Sequence, residues 1–214
     1  MVRWFSLQSL SSISTQAGSR MVGQSGSRYG DQGSDQELVS RAIQDKQAFA
    51  AIVKRYEAPL LRYIDRLGCR NRDVADDLLQ EIFIKVYIHL HDYDPFLPFS
   101  SWLYRIAHNQ IISHFRKEKH RPVSLTGDEV RILMEGLADE GDGTGAQHRR
   151  FSDGEVAVAL ERLEAKYREV VVLKFFEDKS YEEISDILQV PQGTVATLLN
   201  RAKKKITHYL GRGG

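Results

Sequence analysis

Apolar residues recur every three or four positions along most of the chain, which is the spacing of amphipathic helices. The pattern runs from Asp35 to about Lys119 and returns from Asp153 to Leu210. The strict alternation of apolar and polar residues that is typical of half-buried strands is missing from the sequence. The sequence therefore predicts an all-α fold of two small helical domains, an N-terminal helical bundle and a C-terminal helix-turn-helix, joined by a flexible linker. Pro59 is expected to open a new helix, since proline is tolerated in a first turn.

The segments outside the two helical domains differ from them in composition. Residues 119–152 are rich in glycine and acidic residues, which is typical of a linker, although the stretch "VRILMEGL" within it has the spacing of a short amphipathic helix. Residues 1–34 are rich in Ser, Gln and Gly, which predicts a disordered tail. An organelle transit peptide, or an upstream start with Met21 as the true first residue, remains an alternative for this tail.

The stretch "SYEEISDILQVPQGTVATLLNRAKKK", which begins at Ser180, has the layout of a helix-turn-helix. Ser180 and Glu183 have the spacing of a capping box, so we expect a helix to begin there. Pro191 should end that helix, because the residue before a proline disfavours helical geometry. A second helix is expected from Gly193 or Thr194. An ordinary helical hairpin with solubilising lysines is the alternative interpretation.

Charge is segregated in this C-terminal domain, although the whole chain carries a net charge of only +1. Residues 153–186 hold ten acidic and five basic side chains, whereas residues 187–214 hold five basic and no acidic ones. This order suits a second helix that enters the major groove of DNA while the first faces away from phosphate. The polar side chains expected to contact DNA from the second helix are Thr194, Thr197, Asn200, Arg201, Lys203 and Lys204.

A second amphipathic pattern lies in "DVADDLLQEIFIKVYIHL", residues 73–90. On a helical wheel the large apolar residues gather on one side, and an acidic arc with one aliphatic residue fills the other. Such a face suits protein docking, because the aliphatic side chain anchors and the carboxylates select a basic partner. A merely solvated face is the alternative. The face consists of Asp73, Asp76, Asp77, Gln80, Glu81 and Ile84.

Aromatic, guanidinium and amide groups share one face of a helix that Ser100 or Ser101 is expected to cap. Rings stack on unpaired bases, arginine binds phosphate and asparagine contacts base edges, so this face suits single-stranded nucleic acid. Burial of its tryptophan in the core is the alternative. The face consists of Trp102, Arg105, Asn109, Ile112 and Arg116.

Other functional classes find little support in the sequence. Cys69 is the only cysteine, which excludes a disulfide framework and a Cys-based zinc site. His89, His91, Asp92 and Asp94 are ligand types, but their spacing does not converge, so neither a metal nor a cofactor is predicted. The sequence has no phosphate-binding Gly-rich loop or nucleophile motif, so we do not expect an enzyme. No apolar run approaches the roughly 18 residues that span a bilayer, so we expect a cytoplasmic protein without membrane insertion.

Taken together, these segments resemble the extracytoplasmic-function (ECF) class of bacterial sigma factors, the smallest members of the primary sigma factor family. "DVADDLLQEIFIKVY" is similar to their polymerase-docking segment, and "FSSWLYRIAHNQIISHFRK" to their promoter-melting segment. "SYEEISDILQVPQGTVATLLNRAKKKI" resembles their second promoter-binding domain. With "AFAAIVKRYEAPLLRYI" and "LERLEAKYREVVVLKFFEDKS", the resemblance covers most of residues 35–210.

The resemblance implies a transcription initiation factor that binds core RNA polymerase, directs it to specific promoters and assists promoter melting. Residues 35–118 would be sigma region 2, residues 119–152 a linker running through polymerase channels, and residues 153–214 sigma region 4. The acidic face would contact the polymerase clamp. The Trp102 face, extended by Lys117 and the loop from Asp92 to Phe99, would engage the melted minus-ten element. The six C-terminal polar residues would bind the upstream duplex element.

Regulation by an anti-sigma factor is common in the class and is expected here by analogy. Ala196 and Leu198 depart from the family pattern, since a basic residue and an arginine are common at these positions. We therefore expect altered upstream binding, which Leu198→Arg should strengthen. The alternative function is a stand-alone helix-turn-helix regulator, which needs neither the acidic face nor the Trp102 face and usually dimerises.

Overall fold

A computed structural model describes residues 33–69, 71–116, 127–139 and 152–211. These residues form helices and connecting turns with no strand among them, so the all-α prediction is confirmed. The predicted tail lies almost wholly outside the described residues. The α-helices of the described part are α1 (Asp35–Gln44), α2 (Phe49–Arg66), α3 (Arg72–Ile88), α4 (Phe99–Phe115), α5 (Gly127–Asp139), α6 (Asp153–Glu161), α7 (Ala165–Val171), α8 (Tyr181–Leu188) and α9 (Gln192–Gly211).

Side-chain caps fix where several helices begin. The capping box predicted at Ser180 is present: its hydroxyl accepts a hydrogen bond from the Glu183 N–H at 3.1 Å, and the Glu183 carboxylate accepts from the Ser180 N–H at 2.9 Å. α8 ends at Leu188, and the next residue, Gln189, has a left-handed φ of 56° that breaks the helix before Pro191. α9 follows directly from Gln192, so the helix-turn-helix lies where the sequence predicts it.

Two local predictions in the N-terminal helices are wrong. Pro59 lies inside α2 and does not open a helix. The helix continues through it because a stripe that includes Ile52, Tyr56 and Leu60 is buried, and this burial offsets the cost of about 3 kcal/mol of an interior proline. α4 begins at Phe99 with Pro98 in the capping position, so neither following serine caps it.

The N-terminal helices α1–α4 and the C-terminal helices share one core. A continuous cluster of buried apolar side chains includes Leu103 and Ile111 of α4, Ile184 and Ile187 of α8, and Leu199 of α9. α4 and α8 pack directly on each other. The sequence pattern predicts two amphipathic domains but does not show that they meet.

Part of the predicted linker is ordered. Residues 127–139 form α5, at the place where the sequence shows a short amphipathic pattern. Val130 and Leu133 of α5 are buried in a second cluster with Leu160 of α6 and Ile206 of α9. α5 therefore belongs structurally to the C-terminal helices. Ser152, the last linker residue, caps α6, and the other linker residues lie outside the described part.

Candidate protein and nucleic-acid interfaces

The acidic face of α3 is exposed as the sequence predicts. Asp73, Asp77, Gln80 and Glu81 are solvent-exposed, and Asp76 is half-buried beside Arg72. Ile84 in the middle of the face is 42% exposed. The opposite side of the helix is buried, and it presents Leu78, Leu79, Ile82 and Val86 to the core.

This face extends further than the sequence analysis indicates. Tyr87 and Ile88 are also exposed, and Ile88 is 62% accessible. Both lie one turn beyond Ile84, so the i, i+3, i+4 spacing is the signal that would have found them. Glu81 and Lys85 both hydrogen-bond to the side-chain amide of Gln110, which fixes the face relative to α4.

The Trp102 face of α4 is only partly exposed. Asn109 and Arg116 are exposed and Arg105 is half-buried, whereas Trp102 is only 7% exposed. The indole stacks on the Phe99 ring, with centroids 5.7 Å apart, and packs against Tyr93. The structure therefore agrees with the alternative stated above, in which this tryptophan is buried. Lys117 lies outside the described residues.

The loop that precedes α4 presents an aromatic side chain to solvent. Phe96 is 95% exposed. The loop around it is held by hydrogen bonds: the Tyr93 hydroxyl donates to the Leu97 carbonyl at 2.5 Å, and Gln36 donates to the Pro95 carbonyl at 3.3 Å. An apolar ring fully in water on a fixed loop is a candidate contact for an unstacked base.

The polar side of α9 faces solvent at five of its six predicted positions. Thr194, Thr197, Asn200, Arg201 and Lys204 are exposed. Lys203 is half-buried, and its ammonium lies 5.9 Å from the centre of the Phe175 ring.

Two further residues of α9 have contacts that sequence reasoning missed. Lys205 pairs with Glu164 at 3.2 Å, and this hydrogen bond raises the pKa of the lysine. Leu198 is half-buried and packs against both buried clusters. It is therefore a packing residue as well as a departure from the family pattern.

Three polar side chains, one from each helix, join α2, α4 and α7. The Tyr63 hydroxyl lies 3.1 Å from His108 Nδ1, and Glu169 lies 3.8 Å from Nε2 of the same ring. Burial lowers the pKa of His108 to about 4, so the imidazole is neutral at pH 7. Burial also raises the pKa of Glu169.

Comparison with known proteins assigns the family. Residues 52–121 match the family model of Sigma-70 region 2, and residues 153–206 match that of Sigma-70 region 4. The ECF RNA polymerase sigma factor SigW of Bacillus subtilis (strain 168) is 32% identical over 174 residues, which cover 78% of this chain and 90% of that protein. The chain belongs to the ECF sigma factors. As a member of that family it is a transcription initiation factor that directs RNA polymerase to promoters.

Solved structures of sigma factors share the fold. The structure of CnrH in complex with the cytosolic domain of CnrY has a TM-score of 0.62 and 24% identity, covering 84% of this chain and 99% of that one. The sigma factor RpoE from Bartonella quintana, in complex with the anti-sigma factor NepR, has a TM-score of 0.55 and 21% identity, covering 78% and 98%. Because both identities are below 25%, these two structures show only that the fold is shared.

The described residues contain neither a membrane-spanning helix nor a cluster of metal ligands. None of their helices is both long and apolar enough to cross a bilayer. No group of three or more His, Cys, Asp or Glu side chains among them is arranged to hold a metal ion. The His89 ring instead pairs with Asp92 at 2.9 Å.

Proposed function

We propose that the acidic face of α3 is the surface through which this sigma factor binds core RNA polymerase. The observation that carries the proposal is the exposure of its carboxylates around an exposed Ile84, while the other side of α3 is buried. An apolar anchor ringed by charge fits a basic partner surface with a small apolar recess. The proposed contacts are Asp73, Asp76, Asp77, Gln80, Glu81 and Ile84.

Two further surfaces are proposed to bind promoter DNA. The loop from Asp92 to Phe99 and one face of α4 would engage the melted minus-ten element, with Phe96 as an additional stacking ring. The polar side of α9 would bind the upstream duplex element in the major groove. The proposed minus-ten contacts on and after α4 are Trp102, Arg105, Asn109, Arg116 and Lys117. Those on α9 are Thr194, Thr197, Asn200, Arg201, Lys203 and Lys204.

We assign the proposed functions to successive segments of the chain. Residues 35–118 form region 2, which binds polymerase and the minus-ten element, and residues 153–214 form region 4, which binds the upstream element. Residues 119–152 connect them, and residues 1–34 form a tail. The protein acts in the cytoplasm, where polymerase and promoters are, and it acts by binding and melting, without turning over a substrate.

An anti-sigma factor is proposed as a further partner. RpoE from Bartonella quintana, which shares this fold, was solved with an anti-sigma factor bound. A tagged copy of the protein, recovered from unstressed cells, should bring down a stoichiometric protein inhibitor of transcription. Recovery of polymerase subunits without any such inhibitor would contradict this part of the proposal.

In-vitro transcription with purified core RNA polymerase and a pool of genomic promoters tests the proposed function. The wild-type protein should yield discrete start sites. Asp77→Lys should lose both these starts and polymerase binding, because it reverses a charge in the centre of the acidic face. Glu57→Lys makes the same charge change on the exposed surface of α2 and should behave as wild type.

Two outcomes would contradict the proposal. Normal polymerase binding by Asp77→Lys would remove the docking role from α3. Binding of the wild type to DNA but never to polymerase would replace the initiation factor by a stand-alone regulator.

A further inference from the structure

A carboxylate lies between two lysines where α7 meets α9. Glu164 immediately precedes α7, and its carboxylate oxygens lie 3.0 Å from the Lys166 ammonium and 3.2 Å from the Lys205 ammonium of α9. The side chains of Glu164 and Lys166 are more than half exposed, and that of Lys205 is 37% exposed. All three charged groups are therefore open to a partner from solvent.

An aromatic ring brings the two lysines together. Tyr167 is buried, and the ammonium groups of Lys166 and Lys205 lie 5.0 Å and 5.3 Å from the centre of its ring. The negative face of an aromatic ring attracts cations. Tyr167 therefore supports two ammonium groups that would otherwise repel each other.

The carboxylate offsets part of this positive charge. Hydrogen bonds from Lys166 and Lys205 lower the pKa of Glu164, and the bond to Glu164 raises the pKa of Lys205. Glu164 and Lys205 are therefore both charged at neutral pH. Two ammonium groups and one carboxylate leave a local charge of +1, which would be +2 without the carboxylate.

Lys205 lies on the side of α9 that is proposed to bind DNA. Thr194, Arg201 and Lys205 are spaced seven and four residues apart, which places them along one side of the helix. Eleven residues of α-helix, from position 194 to position 205, extend about 16 Å, whereas the major groove is about 12 Å wide. If Thr194 contacts base edges, Lys205 lies at the edge of the groove, where the phosphates are.

A backbone phosphate can replace the carboxylate between the two lysines. Carboxylate and phosphate oxygens are both anionic acceptors for ammonium donors. Exposed ion pairs add little stability, so Lys205 can leave Glu164 at small cost. Contacts between phosphates and the C-terminal end of a recognition helix also occur in other DNA-binding folds.

We propose that Lys166 and Lys205 form a binding site for a backbone phosphate of duplex DNA, and that Glu164 occupies this site in the free protein. Glu164 thereby lowers the affinity for DNA, because it competes with the phosphate for the same two ammonium groups. The inference deepens the proposed function, since it rests on the role of α9 in binding the upstream duplex.

Binding of the full-length protein to duplex DNA of randomised sequence, measured by fluorescence anisotropy at several salt concentrations, tests this site. Randomised DNA is suitable because phosphate contacts are independent of sequence. Lys205→Met and Lys166→Met each remove an ammonium group but keep an apolar stem, and Glu164→Gln removes only the negative charge. Glu57→Gln makes the same charge change on the exposed surface of α2 and is the matched control.

Each lysine variant should bind the duplex at least about threefold more weakly than the wild type. The slope of log K against log salt should become shallower by about one unit, because one phosphate contact is lost. Glu164→Gln should bind more tightly by a similar factor, and Glu57→Gln should bind as the wild type does. Unchanged affinity and slope in both lysine variants would overturn the phosphate site.

The double variant Glu164→Gln/Lys205→Met separates competition from a mere change in net charge. If Glu164 competes for the ammonium groups, its removal should increase affinity less once Lys205 is absent. An equal gain with and without Lys205 would be an effect of net charge alone and would overturn the competition.

Arg201→Ala tests the proposed function in the same assay, because Arg201 belongs to the proposed DNA contacts of α9. Normal binding by Arg201→Ala together with weak binding by Lys205→Met would contradict the proposed role of the polar side of α9 and leave the phosphate site in place. Weak binding by Arg201→Ala together with normal binding by both lysine variants would overturn the phosphate site alone.

Discussion

Single residues at the contact between α4 and the C-terminal helices combine burial with charge. His108 lies between Tyr63 and Glu169 and is kept neutral by burial, and Arg66 is buried among carboxylates. A histidine buried in the neutral form destabilises the fold at acidic pH, because protonation places a charge in a site that has little water around it. The fold should therefore respond to pH in the range where this histidine titrates.

We expect the free energy of unfolding to fall as the pH drops from about 6.5 towards about 4. His108 has its pKa depressed to about 4, so its contribution is full above the unfolded pKa of 6.5 and is lost as the pH falls through the folded value. The size of the loss is at most about 3 kcal/mol. The raised pKa of Glu169 favours the folded state as the pH falls, so it reduces this loss of stability.

His108→Gln isolates the contribution of the histidine. Urea unfolding at a series of pH values should give a flatter profile for this variant than for the wild type between pH 6.5 and 4. Parallel profiles would show that the acid sensitivity has another origin. His91→Gln, at an exposed position, serves as the control.

Individual helices follow rules that are visible in the sequence. The Ser180 capping box, the stop before Pro191 and the exposed acidic side of α3 depend on neighbours three or four residues apart. Pro59 and Ser100 were predicted wrongly because their environment is set by distant residues. The stripe that carries α2 through Pro59 is buried by other helices, and Ser100 bonds to Lys179.

At Leu198 of α9, too, the local sequence pattern and the contacts with distant residues lead to different expectations. The family pattern predicts that Leu198→Arg strengthens upstream binding, and this gain stays a prediction. The structure indicates that the substitution also lowers stability, because Leu198 packs on both buried clusters. We expect the substitution to lower the free energy of unfolding by about 1–3 kcal/mol.

Thr197→Arg is the control for this cost. Thr197 is the neighbouring exposed position, so the same charge can be added there with little loss of packing. Urea unfolding and gel-shift titration of both variants separate stability from DNA binding. Equal stability of Leu198→Arg and the wild type would contradict the packing role of Leu198.

At the scale of the whole molecule, the sequence does not reveal that the two helical parts pack on each other. Hydrophobic periodicity indicates which face of each helix is buried, but not which helix covers it. Tyr104 and Glu177 are 73 positions apart, so no local pattern links them. The proposed surfaces of α3 and α9 were predictable because they need only an exposed face. The burial of Ser101 and Tyr104 on α4 was not, because their hydrogen-bond partners Glu183 and Glu177 lie in the C-terminal part.

A distance measurement between the two parts tests the central claim most directly. Lys54→Cys on α2 and His208→Cys on α9 provide two exposed labelling sites for fluorescence energy transfer, and Cys69 is buried. We expect high transfer in the free protein, because the two helical parts share one core, and a clear fall when core RNA polymerase is added, because the two proposed DNA surfaces bind separate promoter elements. Transfer that is already low in the free protein, or that does not change when polymerase binds, would contradict it.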